Sequence, residues 1–208
     1  GARQVLDAYK PQIKIDPAWE MVAVGDIWEL TYGFTETAQN TGQARFIRIT
    51  DIDENGRLRD DEVKYVNINE ESKNYLLQKG DLLVARTGAT YGKTLMFEED
   101  YPAIYASYLI KLSFDKTKML PQFYWIFTQS RNYEAQKKSL VTGGGQPQFN
   151  SKAIQQIRVP LPDLDTQHRI VSQIEEEQAL VNANKKLIML FEQKIRDTLA
   201  AVWGETVK

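Results

Sequence analysis

The sequence has no cysteine in its 208 residues, which excludes disulfides, a cysteine nucleophile and thiolate-bound metal. It has one histidine, His168, with no nucleophile or second metal ligand near it in sequence. No apolar run approaches the ~20 residues a membrane span needs, and the opening stretch Gly1 to Pro11 is too polar for a signal peptide. These absences fit a cytoplasmic protein. No G-x-S-x-G elbow and no G-x-G-x-x-G after a strand is present, so no catalytic residue and no metal ligand is assigned. The chain opens on Gly1 in place of Met, which is expected of a chain that is processed, tagged or cut from something longer.

What remains is a globular composition, 42% hydrophobic and 26% charged, enough for one core plus an appended element. The formal net charge is −2, against the basic balance common in compact DNA binders. The charge is uneven, however. Residues 1–85 carry 10 Lys/Arg against 15 Asp/Glu, residues 86–165 carry 10 against 7, and residues 166–208 carry 6 against 6. The middle segment is therefore able to present a basic face on an acidic protein.

Residues 1–18 read as an arm or linker, with Gln12-Ile13-Lys14-Ile15 alternating like a short strand. From Trp19 to Pro162 the pattern is that of a mixed, β-rich α/β domain. Met21–Val24, Arg45–Ile49, Val63–Val66, Leu82–Ala85, Leu95–Phe97, Ala103–Tyr105 and Tyr108–Leu112 are strand candidates, with turn signals between them and Asn55-Gly56 suited to a hairpin. Pro121 stands at a helix N1 position, followed by helical spacing from Gln122 to Ser139. Gly143-Gly144-Gly145 breaks the chain, and a short helix over Lys152–Gln156 takes Asn150 or Ser151 as its cap. Asp51, Asp53, Asp60, Asp61 and Glu62 lack the ordered alternation of a calcium loop and read as a solvated acidic face.

Residues 163–208 differ in kind. From Gln167 to Trp203 there is no proline or glycine. Ile174, Val181, Ile188, Ile195 and Val202 recur at intervals of seven, with Ile170 and Phe191 at the paired heptad position. Asp165 or Thr166 is the expected cap and Gly204 the stop. Such a helix, about 55 Å long at 1.5 Å per residue, requires a partner for its stripe. One reading is a coiled-coil spacer or dimerisation seam built on Ile170, Ile174, Val181, Ile188, Phe191 and Ile195; the other folds the helix back onto its own domain.

Gly88-Ala89-Thr90-Tyr91-Gly92-Lys93-Thr94 is one residue short of a phosphate loop. The segment after it reads as strand and acidic turn, without the helix whose N-terminus would hold phosphate. A glycine turn that positions the chain on nucleic-acid backbone is the preferred reading, with Arg86, Thr87, Thr90, Tyr91 and Lys93 as donors. Gln146, Gln148 and Asn150 carry amides able to pair with adenine in the major groove. The alternatives are a nucleotide-binding protein and a coiled-coil adaptor indifferent to DNA.

Gly80–Lys93, with Arg48-Ile49-Thr50-Asp51-Ile52 before it and Gly143–Asn150, Val159–Pro162 and Gln167–Ile170 after it, resembles the specificity subunits of type I restriction–modification systems. The order and spacing agree over nearly the whole chain. Pro162-Asp163 stands where the family commonly has Pro-Pro, and Thr166-Gln167 where it has Glu-Gln. The resemblance implies a DNA-binding target recognition domain that reads one half of a split sequence, and a long helix that packs against a second such helix. The chain is then a half-subunit or a C-terminal half, completed by a second half or by homodimerisation. It further implies adenine methyltransferase subunits and a motor–nuclease subunit as partners. S-adenosylmethionine, ATP and magnesium would belong to them, with no cofactor and no catalysis in this chain.

Overall fold

A computed structural model describes residues 2–53, 55–115, 117–142 and 147–203. The expected glycine break at 143–145, Gln146 and the stop at Gly204 lie outside the described residues. The chain forms a mixed α/β domain followed by one long helix. The strands are β1 (Met21–Ala23), β2 (Trp28–Tyr32), β3 (Ala44–Ile47), β4 (Tyr65–Val66), β5 (Leu82–Ala85), β6 (Thr94–Met96), β7 (Ala103–Tyr105), β8 (Leu109–Phe114) and β9 (Arg158–Pro160). The helices are α1 (Ala2–Asp7), α2 (Val24–Ile27), α3 (Pro121–Phe127), α4 (Arg131–Leu140), α5 (Ser151–Gln155) and α6 (Leu164–Trp203).

An antiparallel sheet of order β2-β8-β5-β6 is the centre of the domain. Leu82-Leu83-Val84-Ala85 is unbroken apolar sequence because the sheet is covered on both faces. Leu82 and Val84 face a core with Phe123, Phe127, Tyr133, Phe149 and Ile154. Leu83 and Ala85 face a second core with Ile47, Tyr105 and Leu109. That second core is closed by the sheet β4-β3-β7, in which β3 and β7 run parallel. A third pairing, β1 with β9, brings the domain's beginning to its end, Val22 opposite Val159.

Several expectations are adjusted by packing. Ile13 and Ile15 alternate inward onto the first core, yet Gln12–Ile15 has no strand pairing. The helical stretch from Gln122 splits in two, because the Ser130 hydroxyl accepts from Tyr133 N–H at 3.2 Å and starts α4. Asn150 caps α5, its side-chain oxygen accepting from Ala153 N–H at 3.1 Å. The cap of α6 is Asp163, not Asp165 or Thr166: one carboxylate oxygen accepts the Thr166 N–H at 2.8 Å and the other its hydroxyl at 2.9 Å.

At 40 residues, α6 is about 60 Å long, and its stripe is divided between uses. Val171 and Ile174 are buried in the domain's own core, with Ile170 packed against it. Further along, α1 runs antiparallel beside α6, with Arg3 paired to Glu192 at 2.9 Å and Asp7 to Lys185 at 3.2 Å. The Tyr9 hydroxyl donates to Glu177 at 3.0 Å. Val181 and Ile188, half-buried, stand along this stretch. Phe191 and Ile195 are 53% and 58% exposed. The first turns are therefore folded onto the domain, and the last ones leave their apolar face exposed.

Candidate nucleic-acid interface

Strand β5 delivers Arg86 to an edge where three loops meet. The Arg86 N–H donates to Tyr108 O at 3.0 Å, and its carbonyl accepts from Phe149 N–H at 2.7 Å. The guanidinium is fixed as well. Its Nε donates to Ser107 O at 3.1 Å, and it lies 5.2 Å from the Tyr32 ring centre and 5.3 Å from that of Tyr108. Tyr32 ends β2 and meets Ser151 at the start of α5, hydroxyl to hydroxyl at 3.0 Å. Burial pushes the Tyr32 phenol up, but hydrogen bonding with Ser151 and the nearby Arg86 charge outweigh it and lower its pKa. Tyr108 stays 53% exposed. A half-buried arginine between two exposed tyrosines offers a planar cation and two ring faces, groups that bind phosphate oxygens and base edges and stack on bases.

The other expected residues divide into positioning groups and a separate groove. Thr87 is only 3% exposed. Its hydroxyl accepts from the Gln148 side-chain nitrogen at 3.0 Å and donates to Pro147 O at 3.3 Å, so Thr87 and Gln148 tie two loops together. The Asn150 oxygen is held by the α5 cap. Gln146 lies outside the described residues. The Thr90 hydroxyl is buried with no partner among the described residues. The Tyr91 ring lies 5.0 Å from the Lys137 ammonium. Lys93 is turned away from the Arg86 edge, into a groove against the arm and α6. Tyr32, Ser107, Tyr108 and Ser151 were not identifiable as site residues from sequence, since tyrosines in β-rich sequence carry no mark of exposure.

Gly88 to Thr90 form a 3₁₀ turn with Gly88 at φ +73°, and the chain passes from it into β6. A helix N-terminus is therefore missing where a phosphate loop needs one. Gly92 has φ +73°, so the turn demands glycine for its conformation, and a Cβ there would also displace the Lys137 side chain, 2.1 Å away at Cδ. The acidic segment is engaged structurally. Asp51 is buried against Arg48 at 2.6 Å, and Asp60 and Asp61 pair with Arg45 and Arg59.

The model of the type I restriction modification DNA specificity domain matches residues 17–189. A Haemophilus influenzae protein named as a type I restriction enzyme specificity subunit, S.HindORF215P, is 26% identical over 106 residues, 51% of this chain and 26% of that protein. Among solved structures, a chain from a type I restriction–modification system, described for its assembly and conformational transition, superposes with a TM-score of 0.68 at 16% identity, over 97% of this chain and 49% of its own. The HsdS subunit of Thermoanaerobacter tengcongensis gives 0.55 at 18% identity, over 98% of this chain and 50% of its own. The type I S subunit from M. genitalium gives 0.53 at 14%, over 95% of this chain and 46% of its own. The chain thus spans about half the length of these solved subunits and shares their fold. With its family model covering most of the sequence, the chain belongs to the type I restriction–modification DNA specificity family.

Proposed function

We propose that this chain recognises one half of a bipartite DNA sequence as the specificity component of a type I restriction–modification assembly. The observation that carries this is Arg86, fixed between Tyr32 and Tyr108 at an edge formed by three loops, in a chain of this family. The domain binds the duplex, and α6 sets its distance from a second recognition half, in the same chain or in a second copy. Adenine methyltransferase subunits and a motor–nuclease subunit dock on the assembly and supply its chemistry. S-adenosylmethionine, ATP and magnesium act there. The described part has no helix long and apolar enough to cross a membrane, and the assembly acts on DNA in the cytoplasm.

The test is co-expression with a type I adenine methyltransferase subunit, co-purification, and mapping of the methylated adenines. The expected result is a complex that methylates a defined half-site, with that definition lost in Arg86→Ala. Methylation independent of this chain would refute the proposal.

A further inference from the structure

Lys93 opens onto a groove of about 680 Å³ between the arm, α4, the turn at Asn55–Arg57 and α6. Its charge is one-sided. Among the described residues seven Lys and Arg line it, against two carboxylates, Asp7 and Glu134, in a chain whose formal net charge is −2. Both carboxylates are already paired, Asp7 with Lys185 at 3.2 Å and Glu134 with Lys137 at 2.6 Å. Lys10, Lys93 and Arg131 are left with no ion pair among the described residues. Burial pushes the Glu134 carboxyl up, but Lys137, Lys138 and Lys10 together hold it below its ordinary value. Asn55, Gln178 and Asn182 also line it, the Gln178 amide donating to Asn182 at 3.1 Å, and the Gln129 amide nitrogen is buried at the wall with no acceptor among the described residues.

Unneutralised cations in a groove repel one another and favour an anionic occupant. The α6 edge of the groove runs from Gln178 to Lys185, about 10 Å at 1.5 Å per residue. A DNA strand places a phosphate every ~3.4 Å along the axis, so this edge matches about three phosphates. Lysine, arginine and side-chain amides are the groups that hold phosphate without reading sequence. An acidic protein surface would call for aromatic or aliphatic anchors at its centre. The three large aromatics here are otherwise engaged: Trp125 lies under Arg57 and donates to Thr94 O, Tyr133 is buried and donates to Gly92 O, and the Tyr9 hydroxyl donates to Glu177.

We infer that this groove is a second, sequence-independent DNA contact, which holds the sugar–phosphate backbone beside the spacer helix, over the base pairs that the assembly measures but does not read. The inference rests on the DNA-binding reading above and adds a distinct surface to it, since Arg86 and Tyr108 do not line the groove.

The test measures binding of the full chain to a random-sequence DNA duplex across a range of salt concentrations. The variant is Lys10→Gln/Lys93→Gln/Arg131→Gln. Three lost phosphate contacts should make the slope of log K against log salt shallower by about 2.7, and weaken binding on the order of a hundredfold near physiological salt. The loss should be the same for every duplex sequence. Exposed Arg131 alone, as Arg131→Gln, should remove about 0.9 from the slope, and serves if the triple variant does not fold. Duplex binding by the wild type with an unchanged slope in the variants overturns the groove and leaves the Arg86 reading standing. Unchanged slopes with loss of methyltransferase co-purification overturn it in favour of a protein-docking face. Absence of any salt-dependent duplex binding by the wild type overturns both readings.

Discussion

The side-chain oxygen of Gln167 accepts the backbone N–H of Leu120 at 2.8 Å, across the joint between the domain and α6. The same amide donates to Lys118 O at 2.9 Å and to Pro162 O at 2.8 Å. Gln167 is fully buried, so one side chain satisfies three backbone groups and fixes the direction in which the long helix leaves. Gln167→Leu keeps the bulk and leaves those groups unpaired, which should cost about 2–4 kcal/mol in urea unfolding. A loss below about 0.5 kcal/mol, within the usual range for surface changes, would show that the joint is held by apolar packing alone.

The recognition edge calls for a substitution that preserves charge. In Arg86→Lys the cation remains, but the planar group between Tyr32 and Tyr108 and the bond to Ser107 O are lost. Discrimination between target and unrelated duplex should fall by about 1–3 kcal/mol, the worth of a bidentate contact, while the salt slope is unchanged because the charge count is the same. Equal discrimination by Arg86→Lys and wild type, in competition binding, would reduce Arg86 to a phosphate contact.

Much of the architecture was legible because periodicity reports burial directly. Leu82–Ala85 and Ala103–Tyr105 are strands as read, Pro121 starts a helix, and the heptad stripe gave the long helix. The site was less legible. Thr87, Gln148 and Asn150 are polar residues in polar loops, and sequence cannot tell a donor aimed at a ligand from one that ties its own loops together. Ile170 and Ile174 carry the same seven-residue signal as Ile195, yet the domain takes up the first two; periodicity gives the face of a helix and not what covers it. The helix Ala2–Asp7 inside the arm left no sequence signal, because six residues are too few to stand as a helix without α6 beside them.

That arm should respond to alkali. The Tyr9 phenol is pushed from 10.0 up to about 12 by burial first, then by its hydrogen bond to Glu177 and that carboxylate's charge. The folded-state pKa is raised, so the contact's contribution is complete below about pH 10 and is lost as pH rises through about 12. A fluorescent pair on Val5→Cys and Lys186→Cys, unambiguous in a chain without native cysteine, should report separation of α1 from α6 in that window. The Asp7–Lys185 pair joins the same two helices, so Tyr9→Phe is the control. An identical alkaline transition in Tyr9→Phe would show that the release does not depend on the Tyr9 phenol.

The far end of α6 should self-associate in the isolated chain. Leu187, Leu190, Phe191, Ile195, Leu199 and Val202 are all exposed within about four and a half turns of one helix, an apolar density that soluble surfaces rarely leave open to water. Phe191→Glu/Ile195→Glu places two charges in this stretch at positions that contribute nothing to the domain's own core. Sedimentation should show concentration-dependent association of the wild type and a monomer for the double variant, with the melting temperature of the domain unchanged. Ile174→Glu is the contrasting case. It buries a charge in the core cluster that holds Phe123 and Val171, which should destabilise the fold by several kcal/mol. If the double variant sediments as the wild type does, the exposed stripe is not the seam, and α6 cannot set the spacing between recognition halves by pairing along it.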